Sequence, residues 1–284
     1  MNVRVLAAAG VIALIAAVAC VYLVTRQQVQ LRAAGRSGVA PSRARASVER
    51  GAYLYQTAGR CAQCHASDLG GAYVLNSRLV AILWGPNLTR GNPPVGSGYS
   101  DADFERAIRR GLRPDGMRLL MMPSLDYARM SDDDVASLIA YVRSAQPVER
   151  SAPSFELGPL GRLMLLSGRL SFDSDRIPDA APPAVPEPAG AYQARIGGCL
   201  RCHGAGGAAL PATLDLAAFA AVLRTGRDPN GRAIADHSVP SAPWRESDVA
   251  ALYAYFRRLK PRASRGSWRR ARRGCGPASS ASCA

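Results

Sequence analysis

Residues 5–24 form an unbroken run of twenty uncharged, mostly apolar positions, and the chain beyond them is mixed. At about 1.5 Å rise per residue such a run makes a helix of about 30 Å, the thickness of a hydrocarbon core. Residues 27–46 are rich in Arg, Ala, Gly and Ser without a sustained apolar period and read as a tether. Apolar positions then recur at helical spacing. Residues 103–111 (DFERAIRRG) and 218–226 (AFAAVLRTG) each carry a Phe, an aliphatic four residues later and a terminal Gly suited to a left-handed cap. Ser131 with Asp132, Asp133 and Asp134 announces a longer helix with Val135, Leu138, Ile139 and Val142 on one stripe. Ser247 and Asp248 do the same for Val249, Leu252, Tyr253 and Phe256. A further helix is expected over residues 160–170. Residues 177–188 are too rich in Pro for regular structure, and residues 263–284 read as disordered. The pattern predicts a mostly α protein.

One segment occurs twice. Gly51-Ala52-Tyr53 precedes Cys61-Ala62-Gln63-Cys64-His65, and Gly190-Ala191-Tyr192 precedes Cys199-Leu200-Arg201-Cys202-His203. The short helices follow in the same order, then the turn tetrads Arg113-Pro114-Asp115-Gly116 and Asp228-Pro229-Asn230-Gly231, then the longer helices. The expected organisation is an anchor or signal at 1–25, a tether at 26–45, a first domain at 46–148, a Pro-rich linker with a possible helix at 149–189, a second domain at 190–262 and a basic tail at 263–284. Helical units this small bury too little for comfort and usually need a staple.

The 284 residues, 48% of them hydrophobic, exclude a polytopic membrane protein, a collagen-like fibre and a wholly disordered chain. The net charge of +15 favours acidic partners. It does not point to nucleic acid, because 9 of the basic residues fall at 257–273, in and beside the tail. Arg4 on one side of the apolar run and Arg26, Arg32 and Arg36 on the other leave its orientation open. Ala17-Val18-Ala19-Cys20 is a weak lipoprotein cleavage box, but the apolar run continues through residues 21–24, which favours a retained anchor over removal.

The two CxxCH segments carry the chemistry. Each sets two thiols one helical turn apart with an imidazole directly after the second. That geometry suits thioether attachment of both vinyl groups of haem while the His supplies an iron ligand. A zinc site would have to combine cysteines 135 residues apart, and a redox CxxC normally follows a βαβ pattern that is missing here. A disulfide framework does not place cysteines two residues apart in one recurring motif.

With Cys61, Cys64, His65, Cys199, Cys202 and His203, with Trp84-Gly85-Pro86-Asn87, Met122-Pro123 and the terminal helices, the sequence resembles the class I cytochrome c family in its two-domain exported form. The resemblance covers about residues 46–146 and 190–261. It implies two tandem domains, each a small helical bundle around a covalent haem c, after an N-terminal transmembrane helix. It also implies attachment on the outer side of the cytoplasmic membrane, which settles the orientation: single-pass, with both haem domains in the periplasm.

Family members commonly add a Met sulfur opposite the His, which raises the potential. Met121 and Met122 compete for that role at the first haem, with Met117 and Met130 read as packing or surface residues. Gly116 to Met122 is six residues, as is Gly231 to His237, and Pro123 follows Met122 as it often follows the ligand in the family. The iron ligands expected are therefore His65 with Met122 and His203 with His237. A lone His is ordinarily a solvated loop residue. His237, however, is the one His outside the CxxCH segments and stands at the ligand offset. An open sixth site at the second haem is the competing reading, with smaller roles for Met164 or Lys260. Bis-His ligation implies a lower potential for the second haem. The resemblance also implies a Pro carbonyl behind each proximal His, with Pro86 the candidate for His65 and Pro211 a weaker one for His203. Trp84 and Tyr99 are haem-packing or core aromatics, and Cys275 and Cys283 receive no function.

Two six-coordinate haems without a nucleophile motif or phosphate loop make an electron carrier rather than an enzyme. The expected role is a dihaem cytochrome of a respiratory or dehydrogenase-linked chain. It takes electrons from a dehydrogenase or quinol-linked donor and passes them to a downstream cytochrome or oxidase. Its basic surface would steer acidic partners, and its N-terminal helix would hold it in the membrane. The alternatives are a haem enzyme of peroxidase or thiosulfate dehydrogenase type, or the cytochrome subunit of an alcohol-type dehydrogenase or haem-copper oxidase.

Overall fold

The computed structural model describes residues 3–30, 45–92, 98–178, 187–203, 214–228, 230–234 and 243–259. Helix α1 (Val3–Gln30) holds the apolar run and continues through residues 27–30, which the sequence pattern gave to the tether. It is long and apolar enough to cross a membrane.

The N-terminal body is built on a close helix crossing. Helix α2 (Val48–Gln56) begins at Ser47, whose hydroxyl accepts from the Arg50 N–H at 3.2 Å. It packs on α6 (Asp132–Ser144), which begins at Ser131 as its acidic first turn predicts. The crossing needs a glycine, because a Cβ on Gly51 would lie 2.0 Å from the Ser137 carbonyl oxygen. Between these helices come α3 (Ala62–His65), α4 (Asp101–Arg110) and α5 (Ser124–Tyr127). Helix α4 starts in a reciprocal capping box between Ser100 and Asp103 and ends at Gly111, φ +63°. Leu54, Tyr55, Phe104, Met130, Val135 and Leu138 form the buried centre of this body.

A small sheet stands beside it. Strands β1 (Ala72–Ser77) and β2 (Ala81–Gly85) pair antiparallel, with Ala72 opposite Gly85, and β3 (Glu156–Leu157) adds to the other side of β2. The protein is mostly helical as the pattern predicts, and this sheet is the part that the pattern did not signal. Ala81 and Leu83 of β2 face α7 (Pro159–Leu166) and, with Leu157, Met164, Leu165, Leu170 and Phe172, make a second core. The stretch expected as a linker is therefore packed structure as far as Pro178. Its apolar residues find their partners in a hairpin some seventy positions earlier. Residues 179–186 of the Pro-rich stretch and residues 263–284 lie outside the described residues.

The C-terminal helices are α8 (Ala189–Ile196), α9 (Leu200–His203), α10 (Leu216–Thr225) and α11 (Glu246–Arg258). Helix α8 crosses α11 as α2 crosses α6: a Cβ on Gly190 would lie 2.0 Å from the Ala251 carbonyl oxygen. Helix α10 is capped by Asp215 and ends at Gly226, φ +66°. Helix α11 starts after Arg245, slightly earlier than the Ser247-Asp248 signal. Phe219, Val249, Leu252 and Phe256 form a third core. The turns after α4 and α10 close alike. Leu112 bridges Arg118 and Arg227 bridges Ala233; Leu119 N–H donates to Gly111 O at 2.7 Å and Ile234 N–H to Gly226 O at 2.8 Å; Gly116 and Gly231 both have φ +80°. Ile196 of α8 is buried in the first core, and Trp244 packs against both first and third.

Candidate functional site

Helix α3 is a single turn, with the His65 N–H donating to Cys61 O at 2.9 Å. The chain enters and leaves it in left-handed backbone, Arg60 at φ +52° and Ala66 at φ +61°. Two tyrosine hydroxyls hold those strained flanks. Tyr127 donates to Gly59 O at 2.5 Å and Tyr55 to Ala66 O at 2.6 Å. Cys61 and Cys64 are not joined in a disulfide. Burial pushes Cys61 up to about 12 and raises Cys64 as well, so both are S–H at neutral pH.

His65 Nδ1 lies 2.9 Å from the Pro86 carbonyl oxygen. A carbonyl can only accept, so Nδ1 carries the proton and Nε2 keeps its lone pair. Burial lowers the His65 pKa, which favours this neutral form. The Pro86 carbonyl reaches the imidazole because Gly85 passes directly over α3: a Cβ there would lie 2.0 Å from Cys64 O. Asn87 then locks the segment. Its amide donates to Val148 O at 2.7 Å, and its oxygen accepts from the Thr89 N–H at 2.9 Å and the Thr89 hydroxyl at 2.7 Å. The Val148 N–H returns to Thr89 Oγ1 at 3.0 Å. Trp84 stacks edge-on to Tyr73, ring centroids 4.8 Å apart, and Tyr99 tilts against Phe104 at 5.4 Å.

Met121 takes φ +72°, and the two adjacent methionines part company there. Met122 packs against the first core, as do Cys61 and Tyr99. Met121 packs against the second core with Leu120. Met130 is fully buried in the first core and Met164 buried in the second; Met117 is half-buried.

Helix α9 repeats the turn of α3, with the His203 N–H donating to Cys199 O at 2.8 Å. Gly198, φ +67°, stands where the first motif has Arg60. Burial pushes the Cys199 thiol up to about 11, and His203 lies edge-on to Phe256 at 5.7 Å. The two turns abut: the Arg60 guanidinium donates to Gly197 O at 3.5 Å. Arg201, inside the second motif, bonds Asp126 and Asp173 at 2.7 Å each. His237, Pro211 and Lys260 lie outside the described residues.

The donors around α3 are thus two protonated thiols one turn apart, an imidazole with one free nitrogen, and a thioether packed against the same core. That set fits a porphyrin iron with two vinyl groups. Among the described residues no three His, Cys, Asp or Glu converge as an all-protein metal site would require. Gly85, Asn87, Tyr55 and Tyr127 were not expected to serve the site. Trp84-Gly85-Pro86-Asn87 stood out in the sequence, but which of its members did what depended on Val148 and on the course of the chain.

The sequence profile of the cytochrome c family matches residues 48–146. The chain is 34% identical over 120 residues to the fructose dehydrogenase cytochrome subunit of Gluconobacter japonicus, covering 40% of this chain and 24% of that protein. It is 33% identical over 109 residues to the alcohol dehydrogenase (quinone) cytochrome c subunit of Gluconacetobacter polyoxogenes, covering 36% and 23%. It is 33% identical over 100 residues to the gluconate 2-dehydrogenase cytochrome c subunit of Pantoea cypripedii, covering 34% and 22%. The chain thus spans about a quarter of the length of these relatives. Covalently bound haem c is the cofactor of the matched family. Residues 48–146, with the Cys61–Cys64–His65 turn at their heart, are a cytochrome c domain.

Proposed function

We propose that the chain is a dihaem c-type cytochrome. It is anchored by α1 in the cytoplasmic membrane, has both haem-bearing units in the periplasm, and passes single electrons from a dehydrogenase toward a downstream cytochrome or oxidase. The observation that carries the second haem is the recurrence of local geometry around the second CxxCH turn. Gly190 meets α11 as Gly51 meets α6, Gly226 ends α10 as Gly111 ends α4, and the following turns close through equivalent hydrogen bonds as far as Leu119 and Ile234. Three residues beyond that register stand Met122 and His237.

Haem c supplies reversible one-electron exchange at iron. In this reading Cys61 and Cys64 tether the first group, and His65 binds iron through Nε2 while Pro86 fixes its tautomer and ring plane. Met122, which packs against the first core, would supply a second ligand to that iron. Cys199, Cys202 and His203 would hold the second group, and His237 would supply its second iron ligand. A dehydrogenase donor accords with the relatives, which are named as cytochrome subunits of dehydrogenases. The net charge of +15 steers acidic docking surfaces, a contribution that weakens as salt rises.

Mass spectrometry and a pyridine haemochrome assay on protein matured in a competent host test the reading. Two haems per chain are expected, falling to one in Cys199→Ser/Cys202→Ser. A single haem in the unsubstituted protein overturns the dihaem assignment. His237→Ala is expected to change the spectrum of one haem alone; an unchanged spectrum removes His237 as a ligand.

A further inference from the structure

Helix α7 has two faces. Gly161, Met164 and Leu165 are buried against the sheet, whereas Leu160, Leu163 and Leu166 are 40%, 55% and 41% exposed. At i, i+3 and i+6 these leucines share one stripe. Leu79, on the turn between β1 and β2, is 58% exposed beside it, its carbonyl accepting from the Leu160 N–H at 3.0 Å. A contiguous apolar patch of this kind marks a contact surface.

What lies against the patch is set by α1. The C-terminal part of α1 docks on the N-terminal body: Thr25 is buried, Val29 packs against the second core, and the Arg118 guanidinium donates to Gln28 O. Arg162, between Leu160 and Leu163, donates to Thr25 Oγ1 at 2.7 Å and sits over the Tyr22 ring at 4.2 Å. Tyr22 belongs to the apolar run. Helix α7 therefore meets α1 where that run ends, the level at which a spanning helix passes from acyl chains to head groups and where Tyr and Arg concentrate. Arg78 and Arg169 are exposed next to Leu79 and shortly after Leu166 in the chain, Arg26 is exposed directly after Thr25, and Glu156 lies on the neighbouring strand. Exposed leucines flanked along the chain by arginines match an anionic phospholipid surface.

We infer that α7 lies in the head-group layer of the outer leaflet, with its leucine stripe among the acyl chains and its arginines on lipid phosphates. The body is then held against the bilayer in one orientation and does not swing on the tether. The inference rests on α1 being a retained anchor.

Nitroxide labelling of the full chain in vesicles of phosphatidylglycerol and phosphatidylethanolamine tests both readings separately. In the haem-loaded Cys275→Ser/Cys283→Ser chain, whose CxxCH sulfurs are taken up in thioethers on the proposed reading, a label on Cys20 reports α1. Adding Cys20→Ser with Leu163→Cys reports α7, and Cys20→Ser with Arg129→Cys reports an exposed site on the body. Oxygen concentrates in acyl chains and a nickel chelate stays in water. The oxygen-to-chelate collision ratio is expected to be several-fold higher at 163 than at 129, and higher still at Cys20. Chelate-dominated collisions at 163 with a lipid-exposed Cys20 overturn the α7 contact and leave the anchor standing. Protection of 163 from both reagents means a protein covers the stripe and also overturns it. Chelate access at Cys20 removes the anchor, and this inference with it.

Discussion

The Tyr53 hydroxyl donates to the Asp248 carboxylate, joining α2 of the N-terminal body to the first turn of α11. The opposite contact is made as well: the Tyr192 hydroxyl on α8 donates to Asp134 on α6 at 2.6 Å. Each phenol oxygen in turn accepts a backbone N–H from the start of the facing helix, Arg245 onto Tyr53 at 3.2 Å and Ser131 onto Tyr192 at 3.1 Å. The seam is held by the same exchange made twice.

Tyr53→Phe and Tyr192→Phe should each lower stability by about 1.5–3 kcal/mol, the range for a hydrogen bond to a charged group. Denaturant titration of the two single variants and the double variant measures this, and losses near zero would mean that the phenols are solvated in the native protein.

Alkaline pH should loosen the seam. Burial, reinforced by the adjacent carboxylate, pushes both tyrosines up to about 12, while a solvated phenol in the unfolded chain titrates near 10. The folded chain keeps protons that the unfolded chain releases. The contribution is therefore complete below about pH 10 and lost as pH rises toward 12. Stability of the double Phe variant should fall less steeply over that window.

Gly51→Ala and Gly190→Ala each place a methyl 2.0 Å from a helix carbonyl. Backbone must move, so a loss of about 3 kcal/mol or more is expected from either. Thermal melts of the holoprotein decide it, and an unshifted midpoint would refute the close crossings.

Asn87→Ala removes a donor to Val148 O and the acceptor for Thr89. A loss of about 2–3 kcal/mol follows from the unpaired buried groups. Because Pro86 is then less firmly placed behind His65, spectropotentiometry should show the midpoint of the haem carried by residues 48–146 displaced.

On the proposed ligation Met122→Ala should lower the midpoint potential of the haem carried by residues 48–146 through loss of a thioether, while Met121→Ala, from the second core, should leave it in place. Equal effects of the two substitutions would argue against the assignment.

Helix starts and stops were legible where local chemistry decides them. Ser131 with its three aspartates and the left-handed Gly111 and Gly226 signal their ends without help from distant residues. The sheet was not legible. Its β3 is two residues long, and Leu157 and Met164 gain their meaning from Ala81 and Leu83, whose distance along the chain no periodicity encodes. At the site, Cys61, Cys64 and His65 declare themselves by spacing, and Pro86 lies where the resemblance placed it. Gly85 and Asn87 do not, because one acts by lacking a side chain at a crossing and the other through Val148 at the far end of the domain.

The Tyr–Asp exchange has the symmetry of an isologous contact, in which each face offers the donor and the acceptor its counterpart needs. A face of that kind is complementary to itself. Helices α2 and α6 therefore meet α8 and α11 as the two sides of such a contact meet, so neutralising one aspartate would open one half of the seam and leave its counterpart closed.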